Sequence, residues 1–310
     1  MGSRLTITTP SDYDLVRDVC SYGYFVLAPN HWDVKKHTLT RPLHLDEGPA
    51  TVVITQAAKG KLRAAFDRAL SKPDQTQARA QIARMLRLDE DASHSIAFHG
   101  VDPRWKKSGR ARLFRSPTLF EDVIKTVTSC NVAWPSTVNM NKQLARHLGQ
   151  KGCFPIAARV SRTRVGTLRG RCRVGYRDQR IIDLAKLFHK GEIDEDWLTD
   201  RSTDDDDVFA FLKSLPGIGP YAAGNIMMLL GRYSRLAIDT ETVRHGKAAL
   251  GLKGTDRQII KKLEKHYEPF GEYKFKSYWF ELWTFYEGKQ GPSETWDREE
   301  TATAFTAANF

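Results

Sequence analysis

Apolar residues recur at helical spacing through most of the chain beyond Pro117. Residues 120–127, 138–148, 181–188, 208–215, 222–230, 243–250 and 257–267 each place them at three- and four-residue intervals, which predicts amphipathic helices. A last helix is expected near 278–286. Most of the intervening loops are short, as in a compact all-α body. The pattern differs before this region. Residues 24–27, 38–45 and 51–55 are short β-branched or aromatic runs, separated by Pro29, Asn30, Glu47, Gly48 and Pro49, and they predict strands. Residues 61–70 and 75–88 carry Ala, Ile, Met and Leu at helical spacing. The resulting division is a small α+β domain with a short antiparallel sheet over 1–110 and a helical body over 111–290. A polar tail over 291–310 is expected to be poorly ordered.

Composition narrows the partner. The chain has 310 residues, 41% hydrophobic and 27% charged, enough apolar material for sizeable cores. Its net charge of +11 favours an anionic partner, nucleic acid or an acidic membrane surface. Cys20, Cys130, Cys153 and Cys172 form no C-x-x-C pair, so neither a zinc site nor an iron–sulfur cluster is expected. His31, His37, His44, His94 and His99 have no ligand-like spacing, and no metal is expected there. No apolar run is long enough to span a bilayer, and the polar start, with Asp12 and Asp14, does not read as a secretory signal. The expectation is an intracellular protein, in a bacterial nucleoid or a eukaryotic nucleus, with no membrane partner.

The chemistry concentrates between 211 and 244. Residues 211–231 read F-L-K-S-L-P-G-I-G-P-Y-A-A-G-N-I-M-M-L-L-G. A helix ends at Leu215, the turn Pro216-Gly217-Ile218-Gly219 follows, and Pro220 opens a second helix, where its missing N–H costs nothing. Glycines permit the tight turn and leave the amides uncovered. Exposed N–H groups at a helix start bind anions, so the hairpin can grip a phosphate without reading sequence. Asp239 follows Gly219 by twenty residues, within I-D-T-E-T-V-R, and also suits the N-cap of the next helix.

This combination resembles the helix-hairpin-helix DNA glycosylase superfamily, in its alkylpurine and 8-oxoguanine glycosylase branches. Beyond the hairpin, Thr240 and Arg244 match a D-T-x-x-x-R neighbourhood. Ser116–Glu121 with Ile124 is similar to the entry helix, and Ser129-Cys130-Asn131 to its S-x-N end. Gly175-Tyr176-Arg177 with 181–185 is similar to G-Y-R-A-x-x-I-x-x-L-A, and Lys276-Ser277-Tyr278-Trp279 to a final R-S-Y-A helix. The resemblance covers about 116–287. It implies a mostly α helix-hairpin-helix fold with a small N-terminal α+β domain.

It also implies roles. Asp239 would be the catalytic carboxylate that stabilises an oxocarbenium-like sugar and directs water. Tyr221 stands where strand-nicking members carry a lysine, and a phenol cannot form an imine. It would instead line the base pocket, stacking on a flipped-out, electron-poor purine. Trp134, Trp279 and Phe25 are further pocket candidates. Asn131 would fill the gap or meet the orphaned base; it also suits a helix C-cap. Gly217, Ile218, Gly219, Tyr221, Thr240 and Arg244 would hold phosphate. No organic cofactor is implied, although hairpin carbonyls would suit a monovalent cation.

Two basic runs, Arg159–Arg180 and Arg104–Arg115, read as a phosphate footprint. Arg177 reads as structural, and the acids at 204–207 read as a helix start facing away from DNA. The whole describes a monomeric, monofunctional base-excision glycosylase acting on an alkylated or oxidised purine in double-stranded DNA. Two alternatives stay open: a bifunctional glycosylase/AP lyase for oxidised purines using another lysine, and a non-catalytic hairpin module that only binds DNA.

Overall fold

In the computed structural model, which describes residues 2–299 and 301, the chain opens on an antiparallel sheet. Its strands are β1 (Arg4–Thr8), β2 (His31–Asp33), β3 (Thr38–Leu43), β4 (Ala50–Ala58) and β5 (Lys61–Phe66), in the order β1-β5-β4-β3-β2. Around it lie the helices α1 (Leu15–Val19), α2 (Lys72–Met85) and α3 (Ala92–Val101). The remainder is helical: α4 (Leu119–Ser129), α5 (Trp134–Leu148), α6 (Ala157–Val160), α7 (Val165–Gly170), α8 (Asp178–Lys190), α9 (Glu195–Thr199), α10 (Asp205–Ser214), α11 (Pro220–Leu230), α12 (Thr240–Ala248), α13 (Asp256–Tyr267) and α14 (Lys274–Gln290). No helix among the described residues is long and apolar enough to cross a membrane.

Two expectations for the first domain need correction. Residues 61–70 were expected to be helical, but 61–66 form β5. Leu62, Ala64 and Phe66 point inward while Lys61 and Arg63 face out, a period of two. The turn at Lys59-Gly60, with Gly60 at φ 77°, folds β5 onto β4. Residues 24–27 were expected to be a strand and instead lie in a 3-10 turn, Gly23–Val26, with Tyr24, Phe25 and Val26 buried. The tail also differs. Trp296 is buried against Trp283 with ring centroids 4.9 Å apart. Arg298 Nε donates to the Val26 carbonyl at 2.7 Å. Residues 300 and 302–310 lie outside the described residues.

Two hydrophobic cores fill the molecule. The first joins the sheet, α2 and α3 to α12, α13 and α14, through residues such as Phe25, Leu39, Ile54, Phe98, Leu263, Tyr267 and Phe280. The second lies among α4, α5, α8 and α10. Helix α11 serves both. Met228 and Leu229 belong to the first core, and Ala223, Ile226 and Met227 to the second. A helix apolar on every side must be buried on every side. The hairpin therefore stands on a helix anchored in both cores, with a seam between the cores beside it.

Candidate active site

The hairpin forms as its residues dictate. Helix α10 starts at the N-cap Asp204 and ends at Leu215. Gly217 adopts φ 76°, a left-handed conformation that glycine takes without steric cost. The Ile218 amide returns to the Leu215 carbonyl at 3.1 Å, and the Ile218 side chain is buried in the second core. That anchor leaves Gly217 and Gly219 exposed. A Cβ on Gly219 would meet nothing within 4 Å, so a partner has room to approach. Pro220 opens α11, and Gly231, at φ 93°, closes it. The first amides of α11 have no carbonyl within the helix to bond.

From α11 the chain returns through residues 232–238 to Asp239, the N-cap of α12. Asp239 and Thr242 form a reciprocal capping box. The Thr242 amide donates to Asp239 Oδ1 at 2.9 Å, and the Asp239 amide donates to Thr242 Oγ1 at 3.1 Å. The carboxylate is half-buried. Burial pushes its pKa above the ordinary value, against the lowering effect of the Thr242 amide and hydroxyl, the Glu241 amide and the Tyr221 hydroxyl. The N-cap reading and the presentation of a carboxylate at the seam are thus compatible.

Partly buried aromatic side chains lie near this group. Tyr221, on the first turn of α11, stands half-buried beside Asp239, with Tyr22 and Cys130 also near. Burial raises the phenol pKa values of Tyr22, Tyr221 and Tyr278, so all three remain neutral donors. Tyr22 donates to Asn225 Oδ1 at 3.3 Å and lies 4.7 Å from the Trp279 ring. Trp279 is held by its indole N–H on the Ser21 carbonyl at 2.9 Å. Trp134, at the start of α5, lies against Gly23. Of the expected pocket residues, Trp134, Tyr221 and Trp279 stand partly buried at the rim of the first core. Phe25 does not: it has no exposed surface, because its 3-10 turn drives it into that core. Tyr22, absent from the expected pocket residues, lies near enough to Asp239 to feel its charge. The alternation of aromatics in Y-G-Y-F was the available signal.

Asn131 is exposed, at φ 52°, just beyond the end of α4. It occupies the left-handed position that Asn tolerates after a helix. Cys130, its neighbour, lies near enough to Asp239 to feel its charge, and burial lifts its thiol to about 11. Arg177 is buried and structural. Its Nε donates to the Val127 carbonyl at 3.1 Å, and another nitrogen reaches the Cys130 carbonyl, closing the end of α4. Tyr176 is 52% exposed, with the guanidinium groups of Arg177 and Arg180 4.4 and 5.3 Å from its ring. Arg180 also packs against Gly217 of the hairpin. Tyr176 is thus an exposed aromatic linked through one arginine to the hairpin turn. Thr240 is exposed, while Arg244 is drawn to Glu241 on its own helix.

The basic runs separate. Arg159, Arg162, Arg164, Arg171, Arg173 and Arg180 are exposed, and among the described residues the only ion pair from this stretch joins Arg169 to Asp178. In the second run the arginines are ion-paired, and of these only Arg112 and Arg115 are buried. Arg104 pairs with Asp102 and Glu281, Arg110 with Glu287, Arg112 with Asp12 and Arg115 with Asp89. Arg104 and Arg110 thus tie the first domain to α14, and all four cations have acidic partners within the fold, whereas Lys106 and Lys107 of the same run are exposed. Asp204 caps α10, and Asp205 and Asp206 in its first turn pair with Arg232 and Arg235. Among the described residues no group of three or more His, Cys, Asp or Glu is placed to hold a metal.

No protein-family model matches the sequence, and no curated protein matches it. Solved structures do match. MBOgg1 in complex with a low-affinity DNA ligand superposes with a TM-score of 0.69 at 18% identity, covering 93% of this chain and 97% of that one. The 3-methyladenine DNA glycosylase from Archaeoglobus fulgidus gives 0.67 at 14% identity, covering 91% and 98%. The 8-oxoguanine glycosylase/lyase of Clostridium acetobutylicum, in its apo form, gives 0.65 at 17% identity, covering 91% and 98%. The chain therefore has the fold of these helix-hairpin-helix glycosylases over nearly its whole length, mostly α with a small antiparallel sheet at its start.

Proposed function

We propose that this protein is a monofunctional DNA glycosylase that hydrolyses the N-glycosidic bond of a damaged purine, alkylated or oxidised, in double-stranded DNA. One observation carries the reading. A half-buried carboxylate, Asp239, stands at a helix N-terminus beside Tyr221 and Tyr22, one helix away from an exposed glycine hairpin. The fold shared with glycosylases supports it.

The chemistry follows from the geometry. The target bond lies inside the duplex stack, so the nucleotide must be flipped out, at a cost of a few kcal/mol. The hairpin amides and the exposed arginines offset that cost through phosphate contacts, and Tyr176 and Asn131, both exposed, would occupy the gap. The flipped base stacks among Tyr22, Trp134, Tyr221 and Trp279. As the base leaves, positive charge grows on the sugar. A partly desolvated carboxylate stabilises that charge more strongly than one in water. Its raised pKa also makes Asp239 the stronger base toward the incoming water.

A lyase step needs an amine at the sugar, and Tyr221 offers none. The two fully buried lysines are committed elsewhere, Lys125 to Glu121 at 2.8 Å and Lys276 to Glu90 at 3.2 Å. Backbone carbonyls of the turn are the hard oxygen donors that would hold a monovalent cation, the Leu215 carbonyl also accepting the Ile218 amide; no step above depends on one. The test is excision from duplexes carrying one alkyladenine, oxoguanine, hypoxanthine or uracil, read with and without alkali. Breaks that appear only after alkali are expected for one of the purine lesions. Breaks without alkali, with borohydride trapping of a covalent complex, would assign the lyase chemistry instead. Duplex binding with no excision of any lesion would leave a DNA-binding module.

A further inference from the structure

We infer that Tyr278 and Thr242 form a two-hydroxyl relay that fixes the orientation of the Asp239 carboxylate, so that both are positioning residues of the site. The inference rests on the role given to Asp239 above. Thr242 is 0% and Tyr278 3% exposed, and they come from different helices, α12 and α14, with their hydroxyl oxygens 2.9 Å apart. Thr242 Oγ1 also lies 3.0 Å from Asp239 Oδ1 and 3.2 Å from the Ala237 carbonyl.

Counting protons sets the direction of the relay. A threonine hydroxyl has one proton and two lone pairs. One lone pair accepts the Asp239 amide at 3.1 Å. Among the described residues Thr242 is the hydrogen-bond partner of the Tyr278 hydroxyl. The Tyr278 ring is hemmed in edge-on by Tyr267, Phe275 and His245 at centroid distances of 5.6, 6.1 and 6.1 Å. If Tyr278 accepted from Thr242, its own proton would be buried without a partner. Tyr278 therefore donates, filling the second lone pair of Thr242. The threonine proton is left for Asp239 Oδ1 or the Ala237 carbonyl, and the charged, nearer acceptor wins. Oδ1 then holds two donors from one residue, the Thr242 amide at 2.9 Å and the hydroxyl at 3.0 Å. The carboxylate cannot rotate without losing both, and Oδ2 is the oxygen not committed to Thr242.

The other titratable groups that act on or lie beside Asp239 are Tyr22, Cys130 and Tyr221, Tyr286 on α14 and Glu241 on α12. The relay is unlike them in reaching the carboxylate through two side chains that are both buried.

The test uses the full chain with Thr242→Val, Thr242→Ser, Tyr278→Phe and the double variant Thr242→Val/Tyr278→Phe. Two readouts are followed: the Asp239 carboxyl titration by carbon NMR, assigned with Asp239→Asn, and the pH profile of single-turnover excision. Thr242→Val should raise the titration and the acidic limb of the profile by about one pH unit. Excision at neutral pH should slow while duplex affinity holds. Tyr278→Phe should shift both in the same direction by less, and Thr242→Ser should restore the wild-type values. The double variant, which leaves no orphaned hydroxyl, should fold and keep the Thr242→Val shift. A titration unmoved in the folded Thr242→Val or double variant would overturn the relay. Because the titration does not need substrate, a wild type that excises nothing would overturn the glycosylase reading and leave the relay to be judged by the NMR result alone.

Discussion

The indole of Trp134 lies on the backbone of Gly23, so close that a Cβ on that glycine would stand 3.1 Å from Cη2. Trp134 opens α5, and Gly23 opens the 3-10 turn that carries Tyr24 and Phe25. Substituting Gly23→Ala should push Trp134 outward by a few tenths of an ångström and misplace its indole. The expected outcome is a several-fold loss of kcat/KM for the lesion duplex with Tm nearly unchanged, checked by single-turnover kinetics beside a thermal melt. Positioning errors smaller than 1 Å are enough to slow a reaction measurably.

Asp239 links function to stability with a definite sign. Its pKa is raised in the folded protein, chiefly by burial. A carboxyl of this kind favours the fold while it is protonated and disfavours it once pH rises through the folded pKa. Asp239→Asn removes the charge and keeps a good N-cap. The variant should therefore melt at a higher temperature than wild type at pH 7. The gap should close below about pH 4, near the unfolded carboxyl pKa. Melts across pH 3.5 to 8 would check this; a variant less stable at neutral pH would show that the carboxylate is held mainly by favourable contacts.

Gly217→Ala puts a side chain at φ 76°, which costs a residue with a Cβ about 1–2 kcal/mol. The new Cβ would also meet Arg180 Cδ at 2.6 Å, displacing the arginine that contacts both the turn and Tyr176. Duplex affinity should fall by a similar factor for damaged and undamaged DNA, since phosphate contacts carry no sequence information. Fluorescence anisotropy with the two duplexes would measure it, and a loss confined to damaged DNA would place the effect at the flipped base.

Arg171 and Arg173 are exposed, and neither is among the ion-paired arginines of the described residues. Replacing both with Ala should lower the slope of log affinity against log salt by about two if each meets a phosphate. The matching change at Arg112, which is buried on Asp12, should act on stability instead. An unchanged slope would put this arm outside the DNA footprint.

How much of this was legible in the sequence follows the range of the interactions. The hairpin, its anchoring helix and the Asp239 cap are local, so spacing alone placed them. Lys61–Phe66 misled because Leu62, Phe66, Ala69 and Leu70 suit a helix while Leu62, Ala64 and Phe66 suit a strand, and only pairing with β1 and β4 decides between them. The Arg104–Arg115 run looked like a surface because its acidic partners stand far away in the chain, Glu281 and Glu287 among them. Tyr22 and Tyr278 were missed for a similar reason. Each gains its place by meeting a residue brought in from elsewhere, Asn225 for one and Thr242 for the other.

The most direct test of the central claim is single-turnover base release from a duplex bearing one alkyladenine or one oxoguanine, comparing wild type with Asp239→Asn at equal bound fraction. The account predicts release by wild type that leaves an alkali-sensitive site, and a loss of at least about 10²-fold in the variant with duplex affinity retained. Release by the variant at the wild-type rate would contradict the account, since it would take Asp239 out of the chemistry and leave it only as the cap of α12.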